Sequence, residues 1–469
     1  MILELAKCTA ALAAVFLSGG VVYLMIIAKE DRRWLEAISY GWGAGIVLLY
    51  VVGGLMIRIP PLFFNWHMCY LGFVFLLVAV PVLFRVRRCG LSGLQLPRVL
   101  PRVALSAPRF DLWAALMLAF LAFHALLLLW IGLNRPVFDS DAISPQRWVG
   151  LAKTVYRLGG LPVSTHAWNP TFPSLIPLWP NMFTARWHDS LAAIPWFLFY
   201  VLILLTTARF VCRITGNLRA GLAYACVLAS IPLLWVHAIR PGFSDLIVCY
   251  FMAAVMTLLF SSYQYQQRRY FLFSLLFMIG ACMSKQEAVA WMFLIYGSYG
   301  LLYWHVRHRK PAAKVLVIEG ITIAVSFVAY LLTLEQLHRL VTGRFTYLGL
   351  LFRFRYDPSA LRLLIERTFT WATFGIYWYF VFGILIYLLV RSRDPFVRLV
   401  CAQSLWISAL VCYYLCGTGN VKLTIAGTNA SRLLLHWVPA GGVLFAMLVS
   451  QVLRQKAASD RTRVRSGVA

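Results

Sequence analysis

The chain has 469 residues, of which 61% are hydrophobic and only 13% charged. A soluble protein of this length cannot hide so much apolar surface, so a polytopic membrane protein is the class that fits. Lys and Arg number 43 against 16 Asp and Glu, a formal net charge of +27. These basic residues fall in short clusters between apolar runs, so orientation in an anionic bilayer accounts for them better than nucleic-acid binding does.

In chain order, the apolar runs lie at 8–28, 37–57, 65–84, 112–133, 189–208, 218–238, 243–262, 270–283, 286–304, 313–335, 371–390, 396–416 and 431–453. The expected fold is all-α, a bundle of about 13 transmembrane helices. The first run, Cys8–Ala28, is too long for the apolar region of a cleaved signal. It is followed by Lys29-Glu30-Asp31-Arg32-Arg33, which predicts a retained span. Basic clusters follow alternate spans: Arg85 to Arg109, Arg209 to Arg219, Arg268 and Arg269, Arg307 to Lys314, Arg391 to Arg398, and the tail from Arg454. With the spans counted as above, all of them share one side, which the positive-inside rule makes cytoplasmic. The expected protein is a multi-pass cell-membrane protein of the inner membrane, with its site facing the extracytoplasmic side. The ten cysteines lie mainly inside apolar runs and form no metal-type pair; Cys412 and Cys416 share a helix face as small buried residues.

Three regions are expected. Residues 1–111 hold the first spans and a basic cytoplasmic loop, 112–453 a transmembrane catalytic region, and 454–469 a basic cytoplasmic tail. Within the second, 134–188 and 336–370 are the long outer loops. The cytoplasmic loops are too small for a nucleotide-binding domain, and no Gly-rich phosphate cradle is present, which argues against an ATP-driven pump.

The outer side collects a distinct set of polar residues. Asp139 and Asp141 follow the run 112–133. Such carboxylates can take a proton from an acceptor hydroxyl, or hold Mg²⁺ or Mn²⁺, or simply be solvated loop acids. Ser144-Pro145 reads as a helix start and Gly159-Gly160 as its end. Trp148, Leu151, Val155 and Leu158 would line one face, as in a helix lying flat on the membrane surface. His166 follows in a rigid aromatic, proline-rich stretch, as a sugar or phosphate ligand or an ordinary interfacial histidine. Asp245 begins a helix after Pro241-Gly242, where either the helix dipole or a sugar hydroxyl suits it. Lys285 and Glu287 sit between two apolar runs, where ionisable groups line cavities. Lys285 can meet a phosphate or pair with Glu287 or Asp245. Arg432 opens the last span, and a guanidinium forks well onto phosphate; His436 lies one turn deeper. The loop 336–370 carries Arg353 and Arg355 among its six arginines, with Asp357 and Glu366 opposing them. Its aromatic interleaving predicts one or two interfacial helices, and its charge suits an anionic lipid.

The ordered set of Asp141-Ala142-Ile143-Ser144, the segment Asn169 to Pro173, Gly242-Phe243-Ser244-Asp245, Lys285-Gln286-Glu287 and Arg432 resembles GT-C fold glycosyltransferases. It is similar to the family 39-like bacterial relatives of protein O-mannosyltransferases and aminoarabinose lipid A transferases. Ser140 stands where those relatives often have Trp. The resemblance runs from about 112 to 453 and implies a donor sugar on a polyprenyl phosphate, with Asp141 as general base and Asp139 assisting or binding a divalent cation. The implied substrate-binding residues are Asp245, Lys285, Glu287, Arg432, His166, His436, Arg353 and Arg355. The acceptor expected is an anionic extracytoplasmic glycan or glycolipid. Two other readings stand beside it: an O-antigen polymerase or ligase, resting on the loop arginines, and a lipid or sugar transporter or flippase, which needs charges near mid-membrane and paired broken helices.

Overall fold

The computed structural model describes residues 2–27, 33–59, 62, 65–89, 111–134, 148–159, 172–306, 310–331, 356–417 and 430–466. Asp139, Asp141, His166, Arg353 and Arg355 lie outside these described residues. Among them no strand is present, and every expected apolar run is helical over most of its length. The helices are α1 (Ile2–Ile26), α2 (Trp34–Met56, with a π-helical stretch at Leu49–Gly53), α3 (Trp66–Cys89), α4 (Leu112–Asn134), α5 (Trp148–Leu158), α6 (Leu175–Asn181), α7 (Asp189–Thr215), α8 (Leu218–Ala229) and α9 (Pro232–Ile239). They continue with α10 (Asp245–Tyr265), α11 (Arg268–Ser284), α12 (Ala288–Val306), α13 (Lys310–Leu331), α14 (Pro358–Phe369), α15 (Tyr377–Arg391), α16 (Pro395–Cys416), α17 (Ala430–Leu435) and α18 (Ala440–Ser466). Among the described residues, seven helices are long and apolar enough to cross a membrane, or eight when one bent pair is counted as a span.

That bent pair corrects the sequence reading of 218–238 as one straight span. α8 and α9 meet at 71°. Pro232 opens α9 at its first turn and has no N–H to continue the ladder of α8, so the break falls just before it.

α10 is the centre of the bundle. Residues from Leu246 to Val255 along it are buried without interruption. A helix apolar and buried on all sides is what the interior position in a helix bundle requires. α7 packs on one side of it and α11 on another, with α1 and α2 paired beyond them. Small residues allow that last pair to approach closely: a Cβ on Gly19 would collide with the Gly41 carbonyl, and one on Gly45 with the Val15 carbonyl. Close backbone approach through a small-xxx-small spacing is the membrane substitute for a hydrophobic driving force between helices.

The two ends of the bundle differ. Ser190 Oγ donates to the Leu133 carbonyl at 2.8 Å, and Trp196 Nε1 donates to the Phe243 carbonyl at 2.9 Å. The end of α4, the start of α7 and the start of α10 therefore lie together. α5 docks there and buries Trp148, Leu151 and Val155 against the bundle, whereas the sequence predicts a helix lying flat on the membrane surface, and Lys153 pairs with Asp189 at 2.9 Å. Leu158, expected on the same stripe, is 58% exposed because it sits in the last turn before Gly159, whose φ of 73° ends the helix. At the other end, Arg213 pairs with the buried Glu36 at 3.4 Å and lies over the rings of Tyr265 and Tyr270. α14, capped by Asp357 through the Ser359 N–H at 2.9 Å, is a helix within the expected basic loop.

Gly45→Leu is expected to push α1 off α2 and to lower the thermal unfolding midpoint of the detergent-purified protein by several degrees. Gly20→Leu, at a glycine with open space around it, should leave it close to wild type.

Candidate functional site

The site grows from one buried carboxylate. The chain leaves α9 through a tight turn in which Gly242 adopts φ 116°, a conformation that side-chain-bearing residues rarely take. The turn delivers Asp245 to the first residue of α10, fully buried. A buried carboxylate persists in ionised form only when paired and hydrogen-bonded. Three segments distant in sequence supply the partners.

Lys285 comes from the break between α11 and α12. Its backbone is extended, with φ −157° and ψ 136°, so the side chain turns away from the axis of α11. Nζ lies 2.5 Å from Asp245 Oδ1 and 3.8 Å from Glu287 Oε1. Arg432, on α17, donates from Nε at 2.9 Å and from Nη2 at 2.7 Å, both to Asp245 Oδ2. Its guanidinium carbon also sits 4.7 Å from the centre of the Phe243 ring, a cation–π contact. His436 follows one turn after Arg432, with Nε2 3.2 Å from Asp245 Oδ1. Trp291 Nε1 donates to His436 Nδ1 at 3.1 Å. An indole N–H can only donate, so Nδ1 is an acceptor, and the ring proton resides on Nε2 and points at Asp245.

The result is balanced. Asp245 and Glu287 face Lys285 and Arg432, and His436 takes part as a neutral donor. Lys285, Glu287 and His436 are all buried, while the Arg432 side chain keeps 18% of its surface exposed. Arg432 is thus the member of the cluster that reaches the rim. Of the sequence-predicted site residues, five converge: Asp245, Lys285, Glu287, Arg432 and His436. For Lys285 the structure shows the pairing reading, since it pairs with Asp245 and approaches Glu287.

One residue absent from the sequence reading adjoins them. His237, on α9, is buried, its ring 5.4 Å from that of Phe243. Nδ1 is 2.9 Å from the Leu233 carbonyl, which can only accept, so Nδ1 carries the proton. Nε2 then presents a lone pair, buried and without a hydrogen-bond partner among the described residues; the Ser244 hydroxyl is in the same condition. The signal was weak: one histidine in an apolar run, four residues before Pro241.

Among the described residues no group of three His, Cys, Asp or Glu side chains is placed to hold a metal ion. The divalent-cation expectation rested on Asp139 and Asp141, outside those residues. Asn134, the last described residue before them, ends α4 at the same end of the bundle as Asp245.

No family model matches the chain, and no curated protein matches it either. Among solved structures it is similar to ArnT from Cupriavidus metallidurans bound to undecaprenyl phosphate, with 16% sequence identity and a TM-score of 0.49. The match covers 72% of this chain and spans 60% of the length of that one.

Removing one partner of a buried ion pair leaves an uncompensated charge and costs about 3–5 kcal/mol. Asp245→Leu and Lys285→Met are each expected to lower the unfolding midpoint clearly. The double substitution should lose less than the sum of the two, since it removes both charges together. Additive losses would mean that the two side chains do not share one electrostatic site.

Proposed function

We propose that this chain is an integral membrane glycosyltransferase that moves a sugar from a polyprenyl-phosphate donor to an extracytoplasmic glycan or glycolipid acceptor. The observation that carries this reading is the convergence on Asp245. Three of the short motifs that resemble GT-C enzymes, from α10, from the α11–α12 break and from α17, meet at one carboxylate within hydrogen-bond distance. Motifs that matched by chance would have no reason to meet.

The chemistry follows from the charges. A sugar on a lipid phosphate carries its activation in the phosphate leaving group, so no nucleotide is needed at the outer face. The acceptor oxygen attacks the anomeric carbon and forms the new glycosidic bond. The bond from that carbon to the phosphate oxygen breaks, with inversion. The acceptor proton passes to the Asp141 carboxylate, and Asp139 assists it. Negative charge accumulates on the departing phosphate, where donors in a water-poor site act most strongly. Arg432 at the rim and Lys285 behind it are the cations for that oxygen. Asp245 holds both in place before the donor arrives, which keeps two long cationic side chains pre-organised rather than solvated. His166, Arg353 and Arg355 belong to this reading as further contacts to donor or acceptor, and Mg²⁺ or Mn²⁺ at Asp139 and Asp141 as an optional aid. Asn134 supports the assignment of Asp141, since the described chain leaves the bundle at the Asp245 end.

The test is genetic and chemical. In cells lacking the native protein, wild type is expected to add one sugar mass to an envelope glycolipid, read by mass spectrometry. Asp141→Asn should abolish that product while the protein still inserts at normal levels, a loss of at least about a hundredfold for a general base. A full product from Asp141→Asn would remove it from the mechanism and favour an enzyme that depends on the arginines at 339–367.

A further inference from the structure

The end of the bundle opposite Asp245 holds a second chemistry. α10 has 21 residues from Asp245 to Tyr265, so its ends stand roughly 30 Å apart at 1.5 Å per residue. Beside its last turn lies a cavity of about 840 Å³, lined among others by Arg391, Arg393, Arg454, Ser450, Gln451 and Asp394. The three arginines come from the end of α15, the turn after it and α18. None of them has a hydrogen-bond or ion-pair partner among the described residues. The single carboxylate on this wall, Asp394, is engaged in capping α16 through the Phe396 N–H at 2.9 Å. Ser450 Oγ and Gln451 Oε1 are buried and without partners. A wall of unpaired guanidinium groups with an unsatisfied hydroxyl and carboxamide is suited to an anionic group that also carries a hydroxyl.

A second, apolar cavity of about 340 Å³ adjoins it, walled by α10, α12, α14, α15, α16 and α18, with Leu434 of α17 also on its wall. Met256, Leu259, Leu385, Val400, Ile407 and Leu444 are on its wall. Phe260 and Tyr263 line both cavities, so the polar one opens against the apolar one. An ordinary basic anchor at a membrane surface has no such groove attached.

The geometry points to a binding site for an anionic phospholipid, with its phosphate on Arg391, Arg393 and Arg454 and one of its chains in the apolar groove. Charge complementarity selects the head group, and the adjoining groove selects an amphiphile over a soluble anion. Ser450 donates to a phosphate oxygen, and the Gln451 oxygen accepts from a head-group hydroxyl, as in phosphatidylglycerol. The occupant belongs to the leaflet opposite the Asp245 cluster. It bridges α15, α16 and α18 and does not enter the transfer chemistry.

The experiment uses the full-length protein in nanodiscs of phosphatidylcholine with a small fraction of phosphatidylglycerol, followed by release into the gas phase and native mass spectrometry. Wild type is expected to retain phosphatidylglycerol over phosphatidylcholine. Arg391→Gln/Arg393→Gln/Arg454→Gln should cut that retention by roughly a hundredfold, at about a fivefold step per arginine. Arg268→Gln/Arg269→Gln, a basic pair outside the cavity, should leave it unchanged. Ile407→Trp, which fills the groove and leaves the arginines in place, should also reduce it, and unaltered helix content by circular dichroism will show that the variant is folded. Equal retention of the two lipids, retention that survives the triple substitution, or displacement by inorganic phosphate at millimolar concentration would each overturn the site as a lipid site.

Discussion

The Asp245 carboxylate is the constraint on which the rest depends. It is buried at the start of the most enclosed of the membrane-length helices among the described residues, and burial of a charge is tolerated only with full compensation. That demand fixes where three other segments must end. The α11–α12 break must turn Lys285 inward, α17 must bring Arg432 over Phe243, and His436 must carry its proton on Nε2, which Trp291 enforces. A helix packing that moved any of these by a few ångströms would leave a charge unpaired in a low-dielectric interior. The ion cluster therefore acts as a register pin for helices that apolar packing alone would let slide.

Much of this was legible in the sequence because charge is scarce in it. In a chain only 13% charged, an acid at a Pro-Gly turn and a Lys-Gln-Glu interruption between apolar runs are conspicuous. The helices were legible for the same reason, since long apolar runs in a bilayer have few alternatives to the helix. What escaped was of another kind. The 71° break at Pro232 lies inside a run whose average hydropathy looks continuous, and averaging hides a missing N–H. His237 escaped as well, as a single histidine in an apolar run. The partners within the cluster were also beyond the pattern: a sequence places Lys285 near an interface, whereas the choice between a phosphate and a carboxylate as its neighbour is a matter of a few ångströms in three dimensions.

The molecule is polarised from end to end. One end concentrates a charge-balanced cluster that is nearly closed, with Arg432 alone reaching outward. The other gathers, around a cavity, three arginines without a partner among the described residues. In the proposed reading the first recognises a lipid phosphate transiently and the second retains one. The difference lies in the companions of the cations. At the first site Asp245 already occupies Lys285 and Arg432, so under the proposed function a donor phosphate would compete with it for them. At the second, no acid among the described residues pairs with the three arginines.

The most direct measurement of the central claim is the affinity of the purified protein for polyprenyl phosphate without its sugar, compared between wild type and Arg432→Gln. Charge-assisted hydrogen bonds contribute about 1.5–3 kcal/mol, so the account predicts a loss of roughly tenfold to a hundredfold in a variant that keeps its fold. Undiminished binding by Arg432→Gln would contradict it, because the rim cation of the Asp245 cluster would then have no part in holding the lipid phosphate.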